Sequence, residues 1–324
     1  MSTVLNSRVD PSVSVCVPVF NEFESVPALL DRLTQVLLKI PRAQSGVPHE
    51  LVLVDDGSGD ATAESILENW PRGSGLSLRL VRFSRNFGHQ SALTAALDHA
   101  KGEVCFLIDG DLQDKPEELP RFLALYLDGA DVVFAQRVGR KEGLCLRLLY
   151  RTFYRVVQRL SDTPLPLDSG DFSLISRRVV DVMKTSPERN RYLRGLRAWA
   201  GFRQVAIPVE RSARHAGHSK YNLLKLFRLA FDGIFSFSVV PLRFASISGL
   251  LMMAGAFLFG IYAVYVRFFL DRSPPGFTAL TFMLISFSGL QLLFMGVMGE
   301  YLGRIYHEVK KRPHYVVDEV VELQ

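Results

Sequence analysis

Two long stretches near the C-terminal end carry no charge: Phe244 to Val266 and Ser273 to Gly299. An α-helix rises about 1.5 Å per residue, so either stretch can cross a hydrocarbon core roughly 30 Å thick. Their length and freedom from charge favour a membrane hairpin over a buried apolar hairpin of a soluble protein. Between them lie Arg267, Asp271 and Arg272, then the turn Ser273-Pro274-Pro275-Gly276. Lys220, Lys225, Arg228 and Arg243 precede the first stretch, and Arg304, Lys310, Lys311 and Arg312 follow the second. Basic residues mark the cytoplasmic side, which predicts a multi-pass protein of the cell membrane with both termini inside and the link outside.

Roughly 230 residues precede the hairpin, enough for one large domain with its own core. The net charge of +5 and the pI near 9.1 leave nucleic acid open in principle. No zinc finger, helix-turn-helix or RNA-binding signature is legible, so no nucleic-acid partner is expected. The excess lies in Arg137–Arg159, Arg189–Arg214 and Lys310–Arg312, which suits a solvated basic face or attraction to anionic lipid and phosphate. The three cysteines, Cys16, Cys105 and Cys145, are scattered among apolar neighbours, with no disulfide or zinc spacing. That fits a reducing compartment. Residues Met1 to Ser14 hold no apolar stretch of signal-peptide length.

Apolar patterning predicts strands at Val13–Val19, Glu50–Val54, Leu76–Phe83, Val104–Ile108 and Asp131–Ala135. Helical segments fall between them, at Glu22–Ile40, Ala61–Trp70 and Gln90–Ala100, the last capped by Gly102. Such alternation implies an α/β fold with a doubly wound, mostly parallel sheet. Ligands of such sheets bind beyond the carboxyl ends of the strands, where Asn21-Glu22, Asp55-Asp56, Arg85-Asn86 and Asp109-Gly110-Asp111 all fall. A dinucleotide fold would need G-x-G-x-x-G after the first strand. The chain has Val17-Pro18-Val19-Phe20-Asn21-Glu22 there, and no P-loop. Paired carboxylates without cysteine make a hard-oxygen site suited to Mg²⁺ or Mn²⁺, ions that commonly share coordination with phosphates. Gln113 and Asp114 are further candidate ligands. Asp55 and Asp56 also suit a turn or capping role. Tyr221 to Ser238 places Leu223, Leu224, Phe227, Phe231, Ile234 and Phe235 on one helical face, an amphipathic helix for the membrane surface. His215 and His218 have H-x-x-H spacing without a further ligand, so a flexible loop is the better reading than zinc.

These motifs resemble family 2 glycosyltransferases. The carriers are Val17 to Glu22, Val54-Asp55-Asp56-Gly57-Ser58, Ser84-Arg85-Asn86-Phe87-Gly88-His89-Gln90 and Asp109-Gly110-Asp111-Leu112-Gln113-Asp114. More narrowly the chain is similar to the polyprenyl-phosphate glycosyltransferases, the group of dolichol-phosphate mannose synthase and the bacterial undecaprenyl-phosphate glucosyltransferases. Further matches are Ser169 to Leu174, Glu188 to Arg191, Gly217 to Tyr221 and Gly299 to Tyr306, so the likeness runs from Val15 to about Tyr315. Two departures stand out: Gly110 where the family usually has Ala, and Lys115 where it usually has Pro.

The resemblance implies a GT-A fold, a nucleotide-sugar donor, a polyprenyl-phosphate acceptor and a divalent cation. It implies donor binding by Pro18, Asn21, Glu22, Asp55, Asp56, Asn86, Gln90, Asp109 and Gly110. Metal binding falls to Asp109, Asp111 and Gln113, and catalysis to Asp111 and Asp171, the latter at the position usually proposed as base, with a structural carboxylate at a strand start as the alternative. Arginine forks suit an acceptor phosphate. Candidates are Arg137, Arg140, Arg211, Arg214, Ser219 and Lys220, with Arg211 and Lys220 foremost because the chain enters the membrane interface there. The expected division is a head over 1–220, an interfacial helix over 221–243, spans over 244–266 and 276–299, an external loop over 267–275 and a tail over 300–324. Gly255, Gly260, Gly289, Gly296 and Gly299 would let helices approach closely and hint at a homo-oligomer. UDP-glucose is the favoured donor. GDP-mannose, UDP-N-acetylglucosamine and a modified arabinose donor stay open, as do a processive polysaccharide synthase and a catalytically dead tethered binding protein. Arg194 to Trp199 does not match the Q-x-x-R-W motif of processive synthases.

Overall fold

A computed structural model describes residues 8–137, 169–186, 188, 191–209, 240–269 and 276–324. They fall into two compact units, one built on a sheet and one on two long helices.

The sheet unit contains eight strands. These are β1 (Val13–Val19), β2 (Glu50–Asp55), β3 (Ser77–Phe83), β4 (Val104–Leu107), β5 (Val132–Arg137), β6 (Ser169–Ser176), β7 (Gln204–Val209) and β8 (Val317–Leu323). Their order is β7-β5-β6-β4-β1-β2-β3-β8. β1 pairs in parallel with β2 and β4, β2 with β3, and β5 with β7. β6 runs antiparallel between β4 and β5, and β8 antiparallel on β3, so the sheet is mixed.

Period-2 patterning sends successive side chains to opposite faces. Val13, Val15, Val17 and Val19, with Leu51, Leu53, Val104 and Phe106, face one layer. That layer is α1 (Val26–Leu38), α2 (Thr62–Asn69) and α4 (Leu119–Leu127), which bring Leu29, Leu33, Ile66 and Phe122. Cys16, Val52, Val54, Cys105 and Leu107 face the other. There α3 (His89–His99), α5 (Arg177–Thr185) and α6 (Leu193–Trp199) supply Leu93, Ala96, Val179 and Leu196. β1 and β2 are buried along their whole length, and each fully buried Val or Leu contributes about 1.5–3 kcal/mol. Cys16 and Cys105 are buried free thiols within this core.

Gly102, which the sequence suggests as the cap of α3, has a different role. The cap residue is Ala100. The Gly102 N–H donates to Ser14 Oγ at 2.7 Å, and a Cβ there would stand 2.7 Å from the Ser14 nitrogen. Lys115 is extended, as residues before proline prefer, and the Pro116–Glu118 turn that follows it is formed.

The second unit holds α7 (Val240–Phe269) and α8 (Phe277–Val309). Leu242–Val266 and Met283–Val309 are long and apolar enough to cross a membrane, and neither is buried within the chain. Gly255, Gly260, Gly289, Gly296 and Gly299 have no described neighbour within 4 Å of a would-be Cβ. Most of the expected interfacial segment, 221–239, and residues 270–275 of the expected loop lie outside the described residues. Residues 317–323, expected as part of a tail, are instead a strand of the sheet.

Candidate active site

Loops at the carboxyl ends of β1, β2 and β4 meet, and their own polar groups join them. After β1 the chain turns at Asn21, whose φ of 53° is a left-handed conformation that asparagine tolerates. The Asn21 N–H donates to Ser58 Oγ at 2.9 Å, and Asn21 Oδ1 accepts the Gly59 N–H at 2.9 Å. The Glu22 N–H donates to Thr62 Oγ1. Asp55 is buried and takes the turn role: its Oδ1 accepts the Ser58 N–H at 3.0 Å and the Ser58 hydroxyl at 2.5 Å. Asp56 reaches across to the loop after β3, accepting the Phe87 N–H at 2.7 Å and the Gly88 N–H at 2.9 Å. Burial pushes the Asp56 carboxyl up despite those donors. Gly57, at φ 69°, lies so close to this loop that a Cβ would be 2.4 Å from the Arg85 carbonyl carbon.

The result is a cleft of about 370 Å³ lined by Pro18, Glu22, Asp56, Asn86, His89 and the run Asp109-Gly110-Asp111, among others. Of the expected donor-binding residues, Pro18, Glu22, Asp56, Asn86, Asp109 and Gly110 line it. Asn21, Asp55 and Gln90 support its walls. Gly110 fits tightly: a Cβ would stand 3.1 Å from the Pro18 carbonyl oxygen and from Val19 Cγ1. Gln113 is buried and does not line the cleft. Its N–H donates to Asp111 Oδ1 at 3.1 Å, which orients that carboxylate. Among the described residues no group of three or more His, Cys, Asp or Glu could hold a metal. Asp109 and Asp111 could supply two hard-oxygen ligands on the cleft, a set that fits a cation completing its shell with substrate phosphate and water.

Beside the aspartates lies a charged node. Asp171, on β6, is buried. Arg194, on α6, grips it with both arms: Nε to Oδ1 at 2.8 Å and Nη2 to Oδ2 at 2.7 Å. Gln90 Nε2 donates to Asp171 Oδ2 at 3.4 Å, while Gln90 Oε1 accepts the Leu193 N–H at 3.1 Å. His89 Nε2 stands 3.6 Å from Asp109 Oδ1 and 3.6 Å from Asp171 Oδ2, bridging the two carboxylates at ion-pair range. Burial works against ionisation of Asp171, but Arg194 and His89 outweigh it and hold its carboxyl well below the usual range. Burial likewise disfavours the His89 imidazolium, yet Asp171 and Asp109 raise its pKa. Arg197 on α6 is buried over the Phe134 ring at 5.0 Å, and desolvation lowers it to about 10.

Of the expected acceptor residues, Arg137 closes β5, whereas Arg140, Arg211, Arg214, Ser219 and Lys220 lie outside the described residues. Sequence reasoning assigned no role to His89 or Arg194. The available signal for His89 was its place at the first turn of the helix that leaves the β3 loop. Nothing local marks Arg194, whose role comes from pairing with a carboxylate 23 residues away.

Residues 14–183 match the model of glycosyl transferase family 2. The chain is 40% identical over 310 residues to an uncharacterized glycosyltransferase, YkcC, of Bacillus subtilis, covering 94% of this chain and 93% of that one. It is 37% identical to a prophage bactoprenol glucosyl transferase homolog of Escherichia coli, covering 95% and 99%. It is 34% identical to an undecaprenyl-phosphate 4-deoxy-4-formamido-L-arabinose transferase of Serratia proteamaculans, covering 98% and 97%. Its fold is similar to that of a mannosyltransferase of Pyrobaculum calidifontis solved with GDP-Man and Mn²⁺. The TM-score is 0.50 at 18% identity, covering 92% of this chain and 90% of that chain.

Proposed function

The chain belongs to glycosyl transferase family 2, and from that premise we propose that it moves one sugar from a nucleotide sugar to a polyprenyl phosphate at the cytoplasmic face of a membrane. The observation that carries this reading is the carboxylate pair Asp109 and Asp111 opening on a cleft at the strand ends, in a chain that also holds two membrane-length helices. The bactoprenol and undecaprenyl-phosphate names of its relatives support the acceptor class.

Asp109 and Asp111 would hold Mg²⁺ or Mn²⁺ together with the donor diphosphate. When bound, the cation neutralises the leaving diphosphate. The acceptor needs little help to ionise: a phosphate monoester has a second pKa near 6 and is mostly dianionic at neutral pH. Its oxygen forms the new bond to the anomeric carbon from the face opposite the departing diphosphate, which inverts that centre. A base is therefore unnecessary, and Asp171, gripped by Arg194, is a poor one. Its role is to fix Arg194 and His89 beside the reacting phosphates. Arg137, Arg140, Arg211, Arg214, Ser219 and Lys220 hold the acceptor phosphate. Donor side chains Pro18, Glu22, Asp56 and Asn86 position the nucleotide sugar, with glucose from UDP-glucose as the favoured donor. The formamido-arabinose name of one relative keeps a modified arabinose donor as the second reading.

β8 supports the proposed topology. It hydrogen-bonds to β3 of the sheet that bears the cleft, so the chain after the helix pair lies on the same side of the membrane as the cleft. Membranes carrying the protein, given undecaprenyl phosphate and a panel of labelled sugar nucleotides, should yield a labelled lipid with one donor, and chelation should abolish it. No labelled lipid with any donor, or labelling indifferent to chelation, would overturn this function.

A further inference from the structure

We propose that Tyr315, with the Val316 carbonyl beside it, forms a positioning element for the donor side of the cleft, although neither lines it. The proposal rests on the reading of the cleft as a nucleotide-sugar site.

The loop from Ser84 to Gly88 carries Asn86 and Gly88 into the cleft and leads into His89. Asp56 holds it from one side. From the other side it is held by residues that follow the second long helix. The Ser84 N–H donates to the Val316 carbonyl at 3.1 Å. The Tyr315 ring stacks on Phe83 at 4.9 Å and 12°, and Phe83 meets Phe87 edge-on at 5.7 Å. The Tyr315 hydroxyl donates to Asp98 Oδ2 at 2.9 Å. Burial and the Asp98 carboxylate raise the phenol pKa, so it stays a donor.

Phe83 ends β3, and Asp98 lies on α3. One half-buried side chain thus ties together the two elements that flank the loop. The strand register also shifts between Arg82 and Phe83, next to where Tyr315 arrives. Further along β8, Glu322 pairs with Arg79, away from the loop. Gly88, with φ 98°, gives the loop a joint that needs outside support to keep one geometry.

The test uses the full-length protein in detergent, with UDP and GDP as probes in calorimetry and donor and lipid-phosphate kinetics alongside. Tyr315→Ala should weaken nucleoside diphosphate binding and raise donor KM about tenfold, equivalent to about 1.4 kcal/mol. Turnover at saturating donor and KM for lipid phosphate should hold. Tyr315→Phe, which keeps the ring stack, should restore most of the affinity. Glu322→Gln, on the same strand but remote from the loop, should lower the melting temperature without changing donor KM. If Tyr315→Ala does not fold, Tyr315→Leu should show the same donor-specific loss in weaker form. Wild-type binding in a folded Tyr315→Ala or Tyr315→Leu variant would overturn the proposal. So would parallel losses in Tyr315→Ala and Glu322→Gln that merely track stability. Failure of the wild type to bind either nucleoside diphosphate would overturn the donor reading itself, and the comparison among variants tells the two failures apart.

Discussion

Asp171 shows how a single contact changes the meaning of a residue. At its motif position it reads as a base, whereas on the proposed mechanism the two-armed bond from Arg194 gives it the role of an anchor. A lost proton acceptor typically costs about 10²–10⁴-fold in rate. Asp171→Asn should cost less than about a hundredfold, within the range of a misplaced positioning group, and the acidic limb of kcat should stay near pH 6, where the acceptor phosphate titrates. Arg194→Lys, which cannot make the fork, should lose a similar factor, and the double variant should lose little more. Full additivity would mean that the two residues act separately. Stability carries a second signature. The folded Asp171 pKa lies below its unfolded value, so the pair's contribution is complete above about pH 4. It is lost as pH falls through the lower folded value. His89, whose pKa Asp171 raises, adds to the pair's contribution only while it is protonated, so the melting-temperature gap between wild type and Asp171→Asn should be widest from about pH 5 to 6.5, narrow at higher pH and close in stronger acid.

The elements that reasoning from sequence finds are those whose burial is written locally. β1 to β5 are apolar runs bounded by turn residues, and the carboxyl-end clusters at Asn21, Asp55, Asn86 and Asp109 follow from strand polarity alone. β6, β7 and β8 escape because their stability comes from partners. β6 carries Ser169, Asp171, Ser173 and Ser176 and is held by β4 on one side and β5 on the other. β7 contains Pro208, tolerable because it is an edge strand. β8, Val-Asp-Glu-Val-Val-Glu-Leu, is charged and largely exposed, as an edge strand can be. The site divides the same way. Asp109 and Asp111 are legible as a metal-capable pair, whereas the support given by Asp56 to the Phe87 and Gly88 amides appears only in three dimensions. Gly57 tests that support. With φ at 69° and a Cβ that would lie 2.4 Å from Arg85 carbonyl carbon, Gly57→Ala should destabilise the head by about 2 kcal/mol or more. Thermal melting would read this as a drop of several degrees, together with weaker nucleotide binding. Gly110→Ala needs only a few tenths of an ångström from Pro18 and Val19, so its melting temperature should fall by far less. Equal losses at the two positions would mean that the close approach of the loops is not what Gly57 provides.

At the scale of the whole molecule, chain order and strand pairing constrain topology together. β3 precedes the helix pair and β8 follows it, yet they form one antiparallel ladder from Leu78–Leu323 to Arg82–Glu319. Backbone hydrogen bonds of this kind cannot form across a bilayer, so the number of crossings between β3 and β8 must be even. Two membrane-length helices satisfy that count, and a single crossing does not. On the proposed topology the basic residues at Arg243 and at Lys310 to Arg312 would face the compartment of the cleft, where anionic headgroups would hold them. The same topology expects the link around Ser273 on the far side. Replacing Cys145 by Ser leaves only the two thiols buried in the sheet core. In that background a cysteine at Ser273 should react with a membrane-impermeant maleimide added to intact cells. A cysteine at Asp318, exposed on the edge strand, should react only after the membrane is opened. Labelling of both from outside, or of neither, would show that the helix pair does not cross and return. The lipid acceptor would then have to reach the cleft by a route other than the inner leaflet.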